Sequence, residues 1–216
     1  MIATHHNKRE APIFPFDVIL FDIGGVLLTN GWDNRERALV LDQFGLDRVD
    51  FEARHREAYG EWERGLVPVE TYLDQTVFHE PRSFTRQEFF AAMRSQSKLL
   101  PHGALGILQE IAASHRYTVG ALNNEARESN EFRFDHFGLR PLFQVALSSC
   151  YLHLRKPDPE IYLLSLDILG KPAKRILFID DRAMNTAAAE AAGMKAVRFE
   201  DADGLRRDLV ALGVLY

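Results

Sequence analysis

Near the start of the chain, residues 17–28 have the sequence Asp17-Val-Ile-Leu-Phe-Asp22-Ile-Gly-Gly25-Val-Leu-Leu28. The apolar, β-forming residues before Asp22 predict a buried strand that ends at this carboxylate. The two glycines that follow predict a turn without bulky side chains. Because open α/β sheets bind ligands beyond the carboxyl ends of their strands, Asp22 is a candidate functional residue. Taken alone, the segment also fits an ordinary strand that ends at an aspartate before a glycine turn.

A second segment of the same kind weakens that alternative. The sequence Arg175-Ile-Leu-Phe-Ile-Asp180-Asp181 again ends an apolar run in carboxylates. Two such strands suggest that Asp22, Asp180 and Asp181 meet at one edge of a sheet. Since clustered carboxylates repel one another, they need a cation between them, and hard oxygen ligands suit Mg²⁺.

Most of the chain alternates apolar β-type runs with helical segments. Beside the first strand, the sequence predicts strands over residues 117–122, 143–147, 175–179 and 195–199. The intervening segments predict helices over residues 105–112, 126–137, 160–169, 185–192 and 205–212. This alternation is typical of a parallel sheet covered on both faces, so we expect an α/β fold with a doubly wound, Rossmann-like core.

Residues 31–100 interrupt that alternation with a stretch that is helical throughout. Val69, Tyr72, Leu73, Thr76 and Val77 have the spacing of one amphipathic helix. A second helix is predicted from Phe89, Phe90, Met93 and Ser97. We therefore expect three regions: a flexible tail over 1–15, a core domain over 16–30 and 101–216, and an inserted all-helical domain over 31–100.

Composition limits the classes of partner. The 216 residues are 46% apolar and 26% charged, as in ordinary soluble proteins. The net charge of −5 gives no reason to expect nucleic acid, and no apolar run is long enough to span a membrane. The single cysteine, Cys150, excludes an internal disulfide framework and predicts a cytoplasmic protein.

Four loops after predicted strands carry the candidate polar residues. A carboxylate that attacks phosphorus approaches an anionic group, so it needs a divalent cation, a lysine and small polar groups around the phosphoryl oxygens. Each loop also has a structural interpretation. Asp158 and Pro159 suit a helix start, Asp181 suits a helix N-cap, and Asn123-Asn124 suits a plain turn. The order and spacing of all four favour a shared site.

This ordered set resembles the haloacid dehalogenase superfamily of hydrolases. The segments that carry the resemblance are Asp22-Ile-Gly-Gly-Val-Leu, Arg155-Lys-Pro-Asp-Pro-Glu-Ile-Tyr162 and Phe178-Ile-Asp-Asp-Arg-Ala-Met-Asn185. Within the superfamily, they are similar to the branch that holds small sugar-phosphate phosphatases and the phosphatase domain of soluble epoxide hydrolases. More weakly, Glu63-Arg64-Gly65 and Arg127 also match that branch. The resemblance implies that the helical insertion is a cap that closes over the site and selects the substrate.

The resemblance also implies a division of roles. Asp22 is expected to be the nucleophile, with Lys156 and Asn123 as the other catalytic residues. Mg²⁺ is expected on Asp22, the Gly24 carbonyl and Asp181, with Asp180 as a close partner. The phosphate of a small phosphorylated metabolite is expected to bind at the residues Gly24, Asn123, Asn124, Arg127 and Lys156. On position alone, Trp32, Asp33, Glu63 and Arg64 are candidates for contact with the leaving group, although Trp32 also suits a buried aromatic at the hinge.

Two positions depart from the family's phosphatase pattern. Gly24 stands where a second aspartate usually serves as general acid and base. Asn123 stands where a serine or threonine is usual, and it offers an amide instead of a hydroxyl. These departures keep two alternatives open. One is a 2-haloacid dehalogenase, against which the pair Asp180-Asp181 argues. The other is a weakly active or inactive protein that binds a phosphorylated ligand or a protein.

Overall fold

The computed structural model describes residues 15–216, so the predicted tail over residues 1–15 lies outside the described residues except for Pro15. The strands are β1 Val18–Phe21, β2 Thr118–Ala121, β3 Val145–Ala146, β4 Ile176–Asp180 and β5 Lys195–Arg198. They form one parallel sheet in the order β3-β2-β1-β4-β5. Each strand overlaps its predicted range, and the α/β fold with a doubly wound sheet is confirmed.

The central strand β1 explains why the candidate residues share one edge. Its four residues are buried because helices cover both faces of the sheet. Phe21 pairs in register with Ala121 of β2 on one side and with Ile179 of β4 on the other. The chain segments that follow these three positions therefore leave the sheet side by side.

Four helices lie between β1 and the rest of the core. They are α1 Asn34–Gln43, α2 Arg48–Glu63, α3 Val69–Thr76 and α4 Arg86–Ser95, and together they form what we call the helical insertion. The prediction of an all-helical insertion is confirmed, and its domain boundaries at residues 31 and 100 stay a prediction. Ser97 lies beyond α4, which begins at a Thr85–Glu88 capping box and ends at the C-cap Gln96.

The remaining helices belong to the α/β core. They are α5 Leu105–Ser114, α6 Arg127–His136, α7 Ser149–Leu152, α8 Pro159–Leu169, α9 Ala183–Ala191 and α10 Ala202–Ala211. Helix α7 is absent from the sequence prediction because four residues are too few to display a helical period. Within residues 15–216, no helix combines the length and the hydropathy that crossing a membrane requires.

The helical insertion has its own aromatic core. Trp62 and Tyr72 stack with ring centroids 4.3 Å apart, and Trp32 packs edge-on against Phe51. The Trp32 indole N–H donates to the Tyr72 hydroxyl at 2.9 Å, and that hydroxyl in turn lies 2.8 Å from Nδ1 of His55. Burial lowers the pKa of His55 to about 4, so the ring that shares this hydrogen bond with Tyr72 is neutral near pH 7. Trp32 is therefore a structural anchor at the entry to the insertion, as its alternative interpretation predicted.

The insertion is docked on the core through backbone as well as side chains. The carboxylate of Glu128, in α6, accepts from the Val69 amide at 2.9 Å and from the Trp62 indole N–H at 3.2 Å. Gly65 follows α2 with a φ of +66°, and a Cβ there would collide with the Cys150 carbonyl oxygen. Gly65 therefore meets two demands, a left-handed conformation and a close backbone approach.

We expect Gly65→Ala to lower the free energy of unfolding more than Gly45→Ala does. Both glycines follow a helix with left-handed φ values, +66° and +63°, but nothing lies within 4 Å of a Cβ at Gly45. The left-handed conformation alone costs about 1–2 kcal/mol for alanine. Urea unfolding of the two variants therefore isolates the docking contact at Gly65. Equal losses of stability would show that the contact with Cys150 is unimportant.

Candidate active site

A buried lysine joins two of the predicted carboxylates. The ammonium of Lys156 lies 3.0 Å from Oδ2 of Asp22 and 2.6 Å from Oδ2 of Asp180. Lys156 is 2% exposed, Asp22 8% and Asp180 0%, so these charges are almost completely removed from water. Such a cluster persists only where the charges are paired with one another or with a cation.

The position of Lys156 is set by Asn124 on the neighbouring loop. The Asn124 side chain accepts from the Lys156 amide and donates to the Lys156 carbonyl, both at 2.8 Å. Pro159 is the first residue of α8 and Asp158 occupies its N-cap position without a side-chain cap hydrogen bond. Asp158 and Pro159 therefore do start a helix, as the structural interpretation predicted. This role is compatible with a functional role of Lys156 just before them.

The third carboxylate lies close to the first two. One oxygen each of Asp22, Asp180 and Asp181 lies within 4.8 Å of the others. Asp180 is held by the Arg182 amide at 2.8 Å and by the Asn185 side-chain amide at 3.0 Å. Oδ1 of Asp181 is buried and accepts no hydrogen bond from the described residues. The N-cap of α9 is Arg182, so the interpretation of Asp181 as that cap is wrong.

The site contains more carboxylates than cationic groups. Burial raises the pKa of Asp22 to about 7, against the opposing effect of Lys156. Burial and the neighbouring Asp180 raise the pKa of Asp181. Burial by itself lowers the pKa of Lys156, but Asp22 and Asp180 outweigh it and raise that pKa above its ordinary value. The orphaned oxygen of Asp181 and this excess of carboxylates fit an oxygen-liganded divalent cation.

Asn123 lies in a buried polar network beneath the site. Its side-chain amide donates to Asn130 at 2.9 Å, and its side-chain oxygen accepts from the Ser148 hydroxyl at 2.8 Å. Asn124, and not Asn123, is among the residues that line the cleft above Asp22. The role of Asn123 in phosphate binding stays a prediction. In the structure its amide supports the loop that carries Asn124.

Arg127 lies away from the cleft. Its guanidinium donates to the Cys150 carbonyl at 3.0 Å and lies 5.0 Å from the centre of the Tyr151 ring. Arg127 begins α6 and is exposed. We expected Arg127 to bind phosphate, but in the structure its side chain does not line the cleft.

The cleft has a cavity volume of about 180 Å³ and lies between the sheet edge and the helical insertion. Asp22, Gly24, Asn124 and Lys156 line its floor, with Asn185 beside them. Trp32, Asp33 and Glu63 of the insertion side also line the cleft, and their contact with a leaving group stays a prediction. Arg64 does not line it and instead donates to the Gly60 carbonyl.

The cleft is also lined by residues that the sequence did not indicate as site residues. Two of them belong to the helical insertion, Arg37 and Tyr59, and the others to the core: Asn30, Glu125, Arg133, Arg155, Arg182 and Met184. Arg133 forms a buried ion pair with Glu125, which directly follows Asn124. Arg182 pairs with Asp33 at 3.2 Å and Arg155 with Glu63 at 3.3 Å, so both pairs join the core to the insertion. The position of Glu125 beside the second motif is the signal that could have indicated that residue.

Comparison with known proteins identifies the family of this chain. Residues 16–193 match the family model of the haloacid dehalogenase-like hydrolases. Over 209 residues the chain is 31% identical to flavin mononucleotide hydrolase 1, chloroplastic, of Arabidopsis thaliana, covering 96% of this chain and 80% of that protein. It is also 28% identical over 211 residues to a protein named as a phosphatase of Mycobacterium tuberculosis, with coverage of 91% and 95%.

Solved structures share the fold. A haloacid dehalogenase family enzyme of Bacteroides thetaiotaomicron, solved in complex with magnesium and inorganic phosphate, superimposes with a TM-score of 0.69. The two sequences are 21% identical, and the match covers 86% of this chain and 95% of the other. With a family model that spans most of its length and a relative above 30% identity, the chain belongs to the haloacid dehalogenase-like hydrolases.

Proposed function

We propose that this hydrolase is a Mg²⁺-dependent phosphatase that acts on a small phosphorylated metabolite through an aspartyl-phosphate intermediate. The observation that carries the proposal is the cluster at the sheet edge, where three carboxylates meet one buried ammonium. A nucleophilic carboxylate needs that environment to approach a phosphate ester, because both groups are anionic. The named activities of the relatives, a flavin mononucleotide hydrolase and a phosphatase, support the same reaction class.

In this proposal each residue has one task at the cleft floor. Asp22 attacks phosphorus in line, and its second oxygen remains bound to the Ile23 amide at 2.7 Å. Lys156 offsets the charge of the nucleophile and of the phosphoryl oxygens, while Asn124 holds Lys156 in position. The backbone amides of Gly24 and Asn124 are candidates to bind the remaining oxygens.

The proposed Mg²⁺ ligands are Asp22, Asp181 and the Gly24 carbonyl, with Asp180 beside them. Bound there, Mg²⁺ supplies positive charge to the nucleophile and the phosphoryl group. The unpartnered oxygen of Asp181 supports this assignment, since a buried carboxylate oxygen without a donor is costly. The choice of metal is supported by the Bacteroides enzyme, which was solved in complex with magnesium.

The dimensions and composition of the cleft favour a small substrate. A volume of about 180 Å³ is below the roughly 300–1,000 Å³ of pockets that enclose drug-sized ligands. The helical insertion forms the wall opposite Asp22, so we assign it the selection of the leaving group. The single cysteine is buried and free, which suits a reducing, cytoplasmic setting.

The direct test is a screen of phosphorylated metabolites and a generic aryl phosphate, with Mg²⁺ and with EDTA. We expect phosphate release that requires Mg²⁺. Turnover of a 2-haloacid without Mg²⁺ would favour the dehalogenase, and the pair Asp180-Asp181 argues against that outcome. Inactivity towards every ester, together with Mg²⁺ binding, would favour a binding protein.

We expect Asp181→Asn to remove both Mg²⁺ binding and turnover, because an amide offers one neutral oxygen in place of a carboxylate. Wild-type protein should gain about 2.7 kcal/mol at a Mg²⁺ concentration of 100 times Kd, which thermal unfolding detects without any substrate. The control is Asp203→Asn, a change of the same kind at an exposed position in α10. An undiminished Mg²⁺ shift in Asp181→Asn would refute the ligand assignment.

Lys156→Met should separate metal binding from catalysis. The variant loses the cation that contacts Asp22 and Asp180, so we expect a loss of stability of about 3–5 kcal/mol. Turnover should fall by at least about 10²-fold, the usual effect of removing one electrostatic stabiliser. Because Asp22 and Asp181 remain, Mg²⁺ should still stabilise the variant in thermal unfolding. Turnover close to that of the wild type would contradict the role of Lys156.

A further inference from the structure

The space beside Gly24 is occupied by polar groups of other segments. A Cβ built on Gly24 would lie 2.9 Å from Oδ1 of Asn30 and 3.8 Å from a terminal guanidinium nitrogen of Arg133. Gly24 stands where phosphatases of the family usually carry a second aspartate. The direction in which that side chain would project therefore leads to the side-chain amide of Asn30, through its oxygen, and to the guanidinium of Arg133.

Arg133 is held firmly at this position. It is 2% exposed, pairs with the carboxylate of Glu125 and donates to the Thr29 carbonyl. Its Nε is buried and has no hydrogen-bond partner among the described residues. The terminal nitrogen near Gly24, Nη1, is the one that pairs with Glu125, and it has a second N–H to donate.

Asn30 is the more accessible of the two residues, and the donor that its side chain offers is the amide nitrogen Nδ2. It is half-buried and lines the cleft, and its side chain makes no hydrogen bond within residues 15–216. Its backbone is fixed, since its carbonyl accepts from the Trp32 amide at 2.8 Å and the preceding Thr29 amide donates to the Lys98 carbonyl at 2.9 Å. An ordered loop thus presents an amide without a partner to the cleft.

We propose that Asn30 and Arg133 bind the leaving-group oxygen and stabilise it as an anion, in place of the absent carboxylic acid. The inference rests on the proposed phosphatase function. In-line attack by Asp22 places the leaving oxygen on the far side of phosphorus, where a general acid at position 24 would act, and the groups in the direction of a side chain at that position are Asn30 and Arg133. There, oriented donors act on charge that develops only in the transition state.

The chemical balance requires no acid from the protein. The bond from an Asp22 oxygen to phosphorus forms while the bond from phosphorus to the leaving oxygen breaks, and that oxygen keeps the electron pair. An asparagine amide and an arginine guanidinium do not give up protons near neutral pH. The leaving oxygen therefore takes its proton from water, and water then hydrolyses the aspartyl-phosphate.

The test compares kcat and KM for a series of aryl phosphates that differ in leaving-group pKa, with Mg²⁺ present. We expect the wild-type rate to fall steeply as that pKa rises, because no acid protonates the leaving oxygen. Asn30→Ala should steepen the dependence further. For the poorest leaving group we expect a loss in kcat of about 10²-fold, the usual effect of removing one oxyanion donor, and for the best a loss below about tenfold. KM should change little, since the contact forms mainly in the transition state.

Three further variants complete the experiment. Met184→Ala removes another side chain that lines the cleft but no hydrogen-bond donor, so it should change kcat by the same factor for every leaving group. The double variant Glu125→Gln/Arg133→Gln removes both charges of the ion pair together, which avoids a buried unpaired charge, and it should also steepen the dependence. In the double variant Gly24→Asp/Asn30→Ala, the introduced carboxyl occupies the space of the Asn30 side chain and can protonate the leaving oxygen. We expect kcat to depend less steeply on leaving-group pKa in this variant than in Asn30→Ala alone.

The outcomes separate this inference from the proposed function. Equal losses for all leaving groups in Asn30→Ala, or no loss, would overturn the role of Asn30 and Arg133 while leaving the phosphatase intact. A flat wild-type dependence would also overturn it, because some acid would then protonate the leaving oxygen. Failure of the wild type to hydrolyse any ester would refute both proposals.

Discussion

The ammonium of Lys156, buried between Asp22 and Asp180, is the interaction on which the site depends. Opposite unit charges about 4 Å apart attract by about 4 kcal/mol at an effective dielectric constant of 20, and here they are closer. Removing each ion from water costs several kcal/mol, so the cluster contributes little net stability. With Asp181 included and every group ionised, three carboxylates face one ammonium and two negative charges are unmatched, a state that burial opposes by raising the pKa values of Asp22 and Asp181. That deficit equals the charge of one divalent cation, and it explains why the fold maintains an arrangement that adds so little to its own stability.

The pairing of β1 with β4 is what makes this cluster predictable from sequence. Each strand is a short apolar run that ends in carboxylate, and neighbouring parallel strands deliver their ends to one edge. The chemistry of the edge thus follows from two local patterns and one rule of topology. The same logic placed Asn124 and Lys156, because each lies in a loop beyond a strand on that edge. Helix α3 was equally predictable, since its apolar residues repeat with the helical period over two turns.

The residues that sequence reasoning missed are placed by contacts between distant parts of the chain. Arg133 donates to the carbonyl of Thr29, more than one hundred positions earlier, and no local pattern predicts such a contact. Asn123 fills the motif position, yet its side chain turns into a network with Asn130 and Ser148. Arg127 has the right position in the chain but begins a helix whose first residue faces solvent. The order of the motifs along the chain predicts which loops come together. The direction of each side chain depends on packing between distant segments, which the sequence alone does not reveal.

The cleft wall differs from the cleft floor in how its charges are matched. Four arginines line the cleft, and each has a carboxylate partner: Arg37 with Glu52, Arg133 with Glu125, Arg155 with Glu63 and Arg182 with Asp33. The wall is therefore polar but close to neutral, whereas the floor has the unmatched charges around Lys156. Because the unmatched charges of the floor are negative, the anionic end of a molecule approaches the floor only together with a divalent cation, whereas an uncharged polar end suits the paired charges of the wall. Orientation of the substrate thus follows from where the protein has paired its charges and where it has left them unpaired.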